Sequence, residues 1–251
     1  MESFQGMEVV GLILIAYILY FLYQRKKAAK HIDPSKPDPT LGKVTVDAKT
    51  LKKFKLPAKK GYVTFPFHDE VLKSAVPDNF IALSLETATA QPYSICLLGL
   101  TECKEGKLVN KHYYYVKPPE PIMSNKSCGV DYNTLKLAST FEELWYAGLK
   151  NLFIGHVIVG YNSPRLIGCI LHALQVYGIP APELQHIDTL EMAKMLYDLP
   201  SYKPMNICTD LSIPWEEHNP LAHSQSMADF FLQTLDSFPD FKPTIYIARQ
   251  G

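Results

Sequence analysis

The stretch Phe80-Ile81-Ala82-Leu83-Ser84-Leu85-Glu86-Thr87-Ala88 decides how this chain folds. It is a short apolar run that turns polar at its end, which is typical of a buried β-strand. Side chains two residues apart on a strand point to the same face, so Ser84 and Glu86 are expected side by side. The sequence therefore predicts a central strand with two polar groups near its end.

The segments on either side of this strand predict an α/β domain. Two more strands follow at 93–102 and 108–116, joined by a turn at Glu105-Gly106. Alternating helices and strands come next: a helix at 141–151, a strand at 152–159, a helix at 164–177, a short strand starting at Ile187, and helices at 190–199, 205–211 and 224–237. This order predicts a ribonuclease-H-like mixed five-stranded sheet flanked by helices.

The same segments carry a family resemblance. The stretch 80–88 resembles the first motif of proofreading-type exonucleases, whose strand reads Asp-x-Glu-Thr, with Ser84 in place of the aspartate and Glu86 retained. The second motif of that family is close to His-Asn-x-x-Phe-Asp. It is matched by residues 155–162, where its aspartate falls on Tyr161, or on Asn162 in a register shifted by one.

The last motif of the family, His-x-Ala-x-x-Asp, is matched by His218-Asn219-Pro220-Leu221-Ala222-His223. His218 takes the place of the general base, and His223 replaces the aspartate. Residues from about 79 to 238 thus resemble a 3′–5′ exonuclease domain of the histidine-type DEDD superfamily, similar to proofreading subunits and ribonuclease T. Three of the four carboxylates of that family's metal site are replaced.

The resemblance implies phosphodiester cleavage with two Mg²⁺ or Mn²⁺ ions held by carboxylates. Serine, tyrosine and histidine supply neither the charge nor the geometry of aspartates, so we expect no two-metal site and an impaired enzyme. One alternative is a single Zn²⁺ held by Glu86, His218 and His223, because imidazole suits zinc. Another is that Glu86 and His218 are ordinary polar residues and that Asp188 only caps a helix.

The amino terminus predicts a membrane anchor. Residues 7–23 read MEVVGLILIAYILYFLY, and from Val9 onward the run has no charge. Its uncharged part would cover about 22 Å as a helix, just enough for a bilayer core of about 30 Å if flanking residues extend it. Basic residues follow the run, which argues against a cleaved signal peptide. The positive-inside rule predicts a single-pass protein with its amino terminus outside and its folded domain in the cytoplasm.

A basic linker is predicted at 24–77, between the anchor at 1–23 and an exonuclease-like domain at 78–240, with a tail at 241–251. Residues 24–60 hold 12 Lys/Arg and 3 Asp/Glu, a net charge of +9, whereas residues 61–251 hold 13 and 20, a net of −7. The lysines and prolines indicate an extended spacer that could also bind anionic lipid. The five cysteines are scattered and read as reduced thiols.

Besides an interaction module whose cleft has no ligand at all, two functions remain open. The leading hypothesis is a catalytically impaired pseudo-exonuclease, whose cleft binds single-stranded nucleic acid or a protein. The alternative is an active metal-dependent 3′–5′ exonuclease with an altered metal site. The acidic domain repels a phosphate backbone when no metals are bound, which favours a protein partner over nucleic acid unless the basic linker folds over the cleft.

Overall fold

The computed structural model describes residues 67–119 and 129–250. Seven strands form one sheet in the order β1-β7-β6-β5-β2-β3-β4. Their bounds are β1 Phe67–Ser74, β2 Asn79–Thr87, β3 Ile95–Lys104, β4 Lys107–Tyr115, β5 Val157–Gly160, β6 Leu184–Asp188 and β7 Thr244–Gln250. The pairs β2–β5 and β5–β6 are parallel and the others are antiparallel. The predicted mixed sheet is confirmed.

Helices flank this sheet. Their bounds are α1 Tyr132–Leu135, α2 Phe141–Leu144, α3 Lys150–Phe153, α4 Ser163–Val176, α5 Thr189–Leu196, α6 Pro204–Asp210 and α7 Pro220–Ser237, with a π-helical turn at Trp145–Leu149 between α2 and α3. Thr140 opens α2 with a capping box that includes the Glu143 side chain. The predicted helix at 141–151 is therefore one helical segment interrupted by a π turn.

The sheet has two strands more than the predicted five. Strand β1 falls inside the predicted linker, and β7 falls inside the predicted tail, where they pair with each other from Phe67↔Gln250 to Ser74↔Thr244. These partners are far apart in the sequence, so no local turn signal announces the pairing. Residues 67–74 and 244–250 belong to the folded domain, which corrects both the strand count and the expected linker and tail boundaries.

Several element boundaries also differ from the prediction. The predicted strand at 152–159 starts only at Val157, because residues 150–153 complete a helix. The last predicted strand starts at Leu184 rather than Ile187. Helix α7 starts at Pro220, four residues before the predicted 224, because Asn219 caps it by accepting from the backbone N–H groups of Leu221 and Ala222.

Strand β2 separates two apolar cores, because successive side chains of a strand point to opposite faces of the sheet. Ile81, Leu83 and Leu85 pack in the core that contains α4, whereas Phe80 and Ala82 pack in the core that contains α7. The Phe80 and Phe231 rings meet edge to face at 4.9 Å between centroids. Ser84 and Glu86 continue the α7 side of the strand. The polar end of β2 therefore lies beside the amino-terminal end of α7.

The described cysteines Cys96, Cys103, Cys169 and Cys208 are free and buried, as the scattered spacing predicts. Among residues 67–119 and 129–250, no helix combines the length and apolar character that a membrane crossing requires. The predicted anchor at 1–23 lies outside the described residues.

Candidate functional site

One pocket contains all five positions that the motifs predict. Ser84, Glu86, Tyr161, His218 and His223 line a cavity of 480 Å³ at the end of β2. They come from β2, from the residue after β5, from the loop before α7 and from α7 itself. Three separate sequence motifs thus converge in space.

Gly99 brings the last motif to the first. It lies on β3 directly opposite Ser84, and a Cβ atom placed on it would be 2.2 Å from the carbonyl carbon and oxygen of Pro220. Only glycine leaves room for the start of α7 to lie on the sheet at this point. The six-residue motif that ends in His223 is therefore held beside Ser84 by backbone contact with β3.

Glu86 is the one carboxylate that the resemblance retains. Burial raises the pKa of Glu86, while the positive charges of Arg165 and His218 oppose the rise. Ser84 beside it is a neutral hydroxyl that occupies the position of an aspartate in the family motif. The strand end therefore offers one carboxylate where a metal pair would need two or more.

The structure decides the register of the second motif. Tyr161 lines the pocket and Asn162 does not. The Tyr161 hydroxyl donates a hydrogen bond of 2.9 Å to the backbone oxygen of Tyr202, and burial raises its pKa. Asn162 adopts a left-handed conformation, φ 52°, directly before α4. The aspartate position is thus occupied by a neutral phenol that already has a hydrogen-bond partner.

His218 and His223 have different surroundings. His218 is exposed and has φ 56°, a left-handed conformation that is uncommon for residues other than glycine and often marks functional sites. His223 stacks on Trp215 with 3.9 Å between ring centroids, and its Nε2 donates to the backbone oxygen of Glu216 at 2.6 Å. Burial lowers the pKa of His223, so its ring is neutral at pH 7.

These residues do not fit a metal pair. Among the described residues, no group of three or more His, Cys, Asp or Glu side chains could hold a metal ion. The zinc hypothesis for Glu86, His218 and His223 therefore finds no support, since the stack and hydrogen bond of His223 hold its ring in another role. The residues present do not suit a two-metal site either, because a hydroxyl, a phenol and a neutral imidazole stand where the family motifs have three carboxylates.

Sequence reasoning missed several residues of the pocket. Arg165, Lys203 and Glu217 bring charge to its wall, and Met205, Trp215 and Met227 bring apolar surface. Arg165 lies in the first turn of α4, four residues after Tyr161, and Lys203 directly precedes α6. Exposed cations at helix starts look like solvated residues in a sequence. Their closeness to the second motif and to the loop after α5 was the signal that could have found them.

A second polar cluster lies in the core nearby. The hydroxyl of Ser163 lies 2.8 Å from Nδ1 of His186, and Nε2 of the same ring lies 3.1 Å from Oδ1 of Asp69. The carboxylate can only accept, so Nε2 carries hydrogen, and in the neutral ring Nδ1 accepts from Ser163. Ser163 and His186 are fully buried.

Asp188 joins this cluster to α5. Its carboxylate accepts from the backbone N–H of Leu190 at 3.0 Å and from that of Ser163 at 3.4 Å. The interpretation of Asp188 as a helix cap is confirmed. Burial raises the pKa of Asp188, although these hydrogen bonds oppose the rise.

Neither a protein-family model nor a curated protein matches the chain. Solved structures do match the chain. Exonuclease X in complex with 5′ overhanging duplex DNA shares 16% identity at a TM-score of 0.51, over 64% of this chain and 92% of that one. A 3′-exonuclease that recognises the 3′ end of histone mRNA stem-loop shares 14% at a TM-score of 0.55, over 65% and 84%.

A third structure names the superfamily. The nuclease domain of 3′hExo, a DEDDh family member solved with rAMP, shares 13% identity at a TM-score of 0.54, over 68% of this chain and 98% of that domain. The described domain thus has the fold of the DEDDh exonucleases, which confirms the predicted resemblance at the level of the fold.

Proposed function

We propose that this chain is a membrane-anchored pseudo-exonuclease, whose exonuclease-like domain keeps the cleft for nucleic acid ends or a protein partner but has lost most metal-dependent cleavage. The observation that carries the proposal is the convergence of five motif positions on one pocket with a single retained carboxylate, Glu86. An exonuclease-like fold whose metal-ligand positions lack carboxylates favours binding over catalysis.

The size of the expected loss follows from how such sites work. In a two-metal mechanism one cation activates water and the other stabilises the leaving oxygen, so the carboxylates that gather them act as a unit. Residues that act as a unit have strongly non-additive effects on rate. Replacing three carboxylates should therefore remove nearly all of the metal-assisted rate. His218 alone would have no activated water from which to take a proton.

A nuclease assay tests this proposal. Residues 61–251 and the full chain are incubated with single-stranded DNA and RNA in Mg²⁺, Mn²⁺ or Zn²⁺, beside a matched Glu86→Ala, His218→Ala double variant. We expect equal, background degradation by wild type and double variant. Metal-dependent 3′–5′ degradation that the double variant lacks would favour the alternative, an active exonuclease with an altered site, and would overturn the proposal.

The membrane anchor is a separate part of the proposal. It is supported by the uncharged run 9–23 and the basic residues that follow it. Deleting residues 1–60 should abolish sedimentation with membranes after a high-salt wash. Deleting only 1–23 should leave salt-sensitive binding to phosphatidylserine vesicles if the basic linker binds anionic lipid. A 61–251 fragment that still sediments would contradict the anchor.

A further inference from the structure

One segment of the chain forms a large part of the pocket lining. Residues 202–218, which we call the cleft wall, run from the loop after α5 through α6 to the loop before α7. Six of the residues that line the pocket belong to it: Lys203, Pro204, Met205, Trp215, Glu217 and His218. In its middle, Ile207 and Cys208 of α6 are buried in the core that contains α7. Apolar packing therefore fixes the middle of the cleft wall, and its two ends need other contacts.

Tyr161 holds the first end of the cleft wall. It directly follows β5, and its hydroxyl donates a hydrogen bond of 2.9 Å to the backbone oxygen of Tyr202. The Tyr202 hydroxyl in turn donates to the backbone oxygen of Tyr197 at 2.9 Å. The half-buried ring of Tyr161 packs against the core that contains α7. One side chain thus joins the first end of the cleft wall to the end of β5.

His223 holds the second end of the cleft wall. Its Nε2 lies 2.6 Å from the backbone oxygen of Glu216, and its ring stacks on Trp215 with 9° between the ring planes. A carbonyl oxygen can only accept, so Nε2 carries the hydrogen. Ser226, about one turn further along α7, donates to the backbone oxygen of Pro214. The second end of the cleft wall is thus joined to the first turns of α7.

Both of these holding residues stand where the family motifs have an aspartate. A carboxylate can only accept hydrogen bonds, so an ionised aspartate at either position could not bond to the carbonyl oxygens of Tyr202 and Glu216. Two more carboxylates near Glu86 would also repel it and each other unless cations bound them. Tyrosine and neutral histidine donate instead, and neither adds a charge. The two replacements that remove metal ligands therefore also supply the contacts that hold the cleft wall.

We infer that Tyr161 and His223 are positioning residues that fasten the two ends of the cleft wall, so that the cleft keeps its shape with no divalent cation. The inference rests on the proposed function and deepens it, because it explains how a cleft without metal ligands stays ready to bind a partner. Each residue should act locally, since α6 is packed into the core between the two ends. Loss of one contact should loosen the nearer loop and leave the other loop in place.

Hydrogen exchange of the full chain in detergent micelles with EDTA, followed by mass spectrometry, tests the inference. Tyr161→Phe removes one hydroxyl, and we expect amide exchange at 198–203 to rise about fivefold while 212–218 and the strands stay unchanged. His223→Leu should give the reverse pattern, with a rise of about fivefold at 212–218. His223→Gln keeps a side-chain N–H donor and should give a smaller rise. Tyr146→Phe, at an exposed tyrosine outside the pocket lining, is the matched control and should exchange like wild type.

Tryptophan fluorescence gives a second readout of the His223 contact. The chain has two tryptophans, and Trp145 is buried in the core that contains α4, so acrylamide reaches mainly Trp215. The His223 ring covers one face of the Trp215 indole. We expect acrylamide quenching to increase in His223→Gln and to stay at the wild-type value in Tyr161→Phe. Quenching that does not change in His223→Gln would contradict the role of the stack in holding the second end.

Three exchange results would overturn the inference: no change at 198–203 in Tyr161→Phe, a rise spread evenly over the strands, or wild-type exchange in the cleft wall that falls about tenfold or more when Mn²⁺ replaces EDTA. The last result would show that a metal ion orders the cleft wall. None of them bears on cleavage. A chain that cleaves nothing and whose cleft wall ignores both substitutions would contradict the inference alone. Metal-dependent cleavage would instead overturn the proposed function.

Discussion

Two polar clusters in this domain, the pocket at the end of β2 and the hydrogen-bonded chain of Ser163, His186 and Asp69, differ in exposure and in how many of their hydrogen bonds are formed. Tyr161 lies in the pocket, and two residues later Ser163 starts a buried chain of hydrogen bonds through His186 to Asp69. The buried chain has the residue types of a serine-hydrolase triad, at hydrogen-bonding distances. The pocket has an incomplete set of family residues and two unpaired cations among the described side chains.

The comparison shows that side chains at hydrogen-bonding distance from one another are not thereby accessible to a substrate. Ser163 and His186 are fully buried, so no substrate reaches the hydroxyl, and the hydrogen bonds serve to join β1, β6 and α4. The polar side chains of the pocket are exposed or half-buried, and neither Arg165 nor Lys203 forms an ion pair within the described residues. A complete, buried network stabilises the fold, whereas an incomplete, open one is free to bind a ligand.

Restoring the family carboxylates should have the largest effect. The Ser84→Asp, Tyr161→Asp, His223→Asp variant places new charges beside Glu86 and loses the Tyr161 hydrogen bond, so we expect the free energy of unfolding to fall by about 4 kcal/mol without metal. Mn²⁺ at about 100 times its dissociation constant should return about 2.7 kcal/mol. Thermal unfolding with and without Mn²⁺ measures both effects, and single reversions should show much less.

The matched control for this variant adds Glu86→Gln, which should remove most of the Mn²⁺ effect. A melting temperature of the triple variant that ignores Mn²⁺ would show that these positions cannot be made to hold metal together. The mapping of the motifs onto the pocket would then be wrong.

Breaking the buried chain should have the next largest effect. His186→Ala leaves the Ser163 hydroxyl and the Asp69 carboxylate without their shared partner, and it removes the stack of the ring on Tyr246. We expect a loss of about 3 kcal/mol in urea unfolding, because the fully buried Ser163 hydroxyl loses its acceptor and the removed ring leaves a cavity, whereas the exposed Asp69 carboxylate returns to water. His218→Ala in the pocket is the control, with an expected change of about 0.5 kcal/mol or less. Equal losses of stability for both variants would contradict the view that the buried chain stabilises the fold and the pocket does not.

Displacing α7 tests whether the pocket depends on Gly99. Gly99→Ala would drive a methyl group into the backbone of Pro220, so we expect a loss of about 2 kcal/mol in urea unfolding. Gly106→Ala in the β3–β4 turn is the comparison: its added Cβ meets no neighbour but its φ of 72° strains alanine, so the two variants separate a packing clash from backbone strain. A Gly99→Ala variant as stable as wild type would contradict the role of Gly99 in positioning the start of α7.

A pH titration of the pair Glu102 on β3 and His112 on β4 should give the smallest effect. Burial alone would raise the pKa of Glu102, but hydrogen bonds from His112 and Asn110 outweigh it, so the pKa is lowered from 4.5. A lowered carboxylate pKa stabilises the fold above the ordinary glutamate pKa, and the stabilisation is lost as the pH falls through the folded-state pKa. Glu102→Gln should therefore cost about 1 kcal/mol near neutral pH and nearly nothing in acid. A constant difference across this range would contradict the assignment.

The sequence predicted the central fold because its signals are local. The apolar run of β2, the Glu105-Gly106 turn and the Asp188 helix cap each act over a few residues, and the structure confirms them. Strands β1 and β7 were missed because their partners are distant in sequence and because Val71 and Leu72 face solvent, which hides the usual buried strand pattern.

The pocket was predicted only as far as the family motifs reach. Ser84, Glu86, Tyr161, His218 and His223 were found because their spacing resembles that of a known site. Arg165 and Lys203 belong to no motif, and a single exposed cation carries no sequence pattern that separates ligand binding from solubility. Only the fold brings them into one pocket with Glu86.

The pairing of Phe67 with Gln250 has a topological consequence. The first and last described residues lie on adjacent strands, about 5 Å apart across the ladder, so the domain is almost a closed loop of chain. A linker of a few residues could join these ends without disturbing the sheet. New ends could then be opened at Glu105-Gly106, the turn between β3 and β4 at the opposite edge of the sheet. A circular permutant of this design would detach the pocket from its order along the chain while keeping every strand beside its present neighbour.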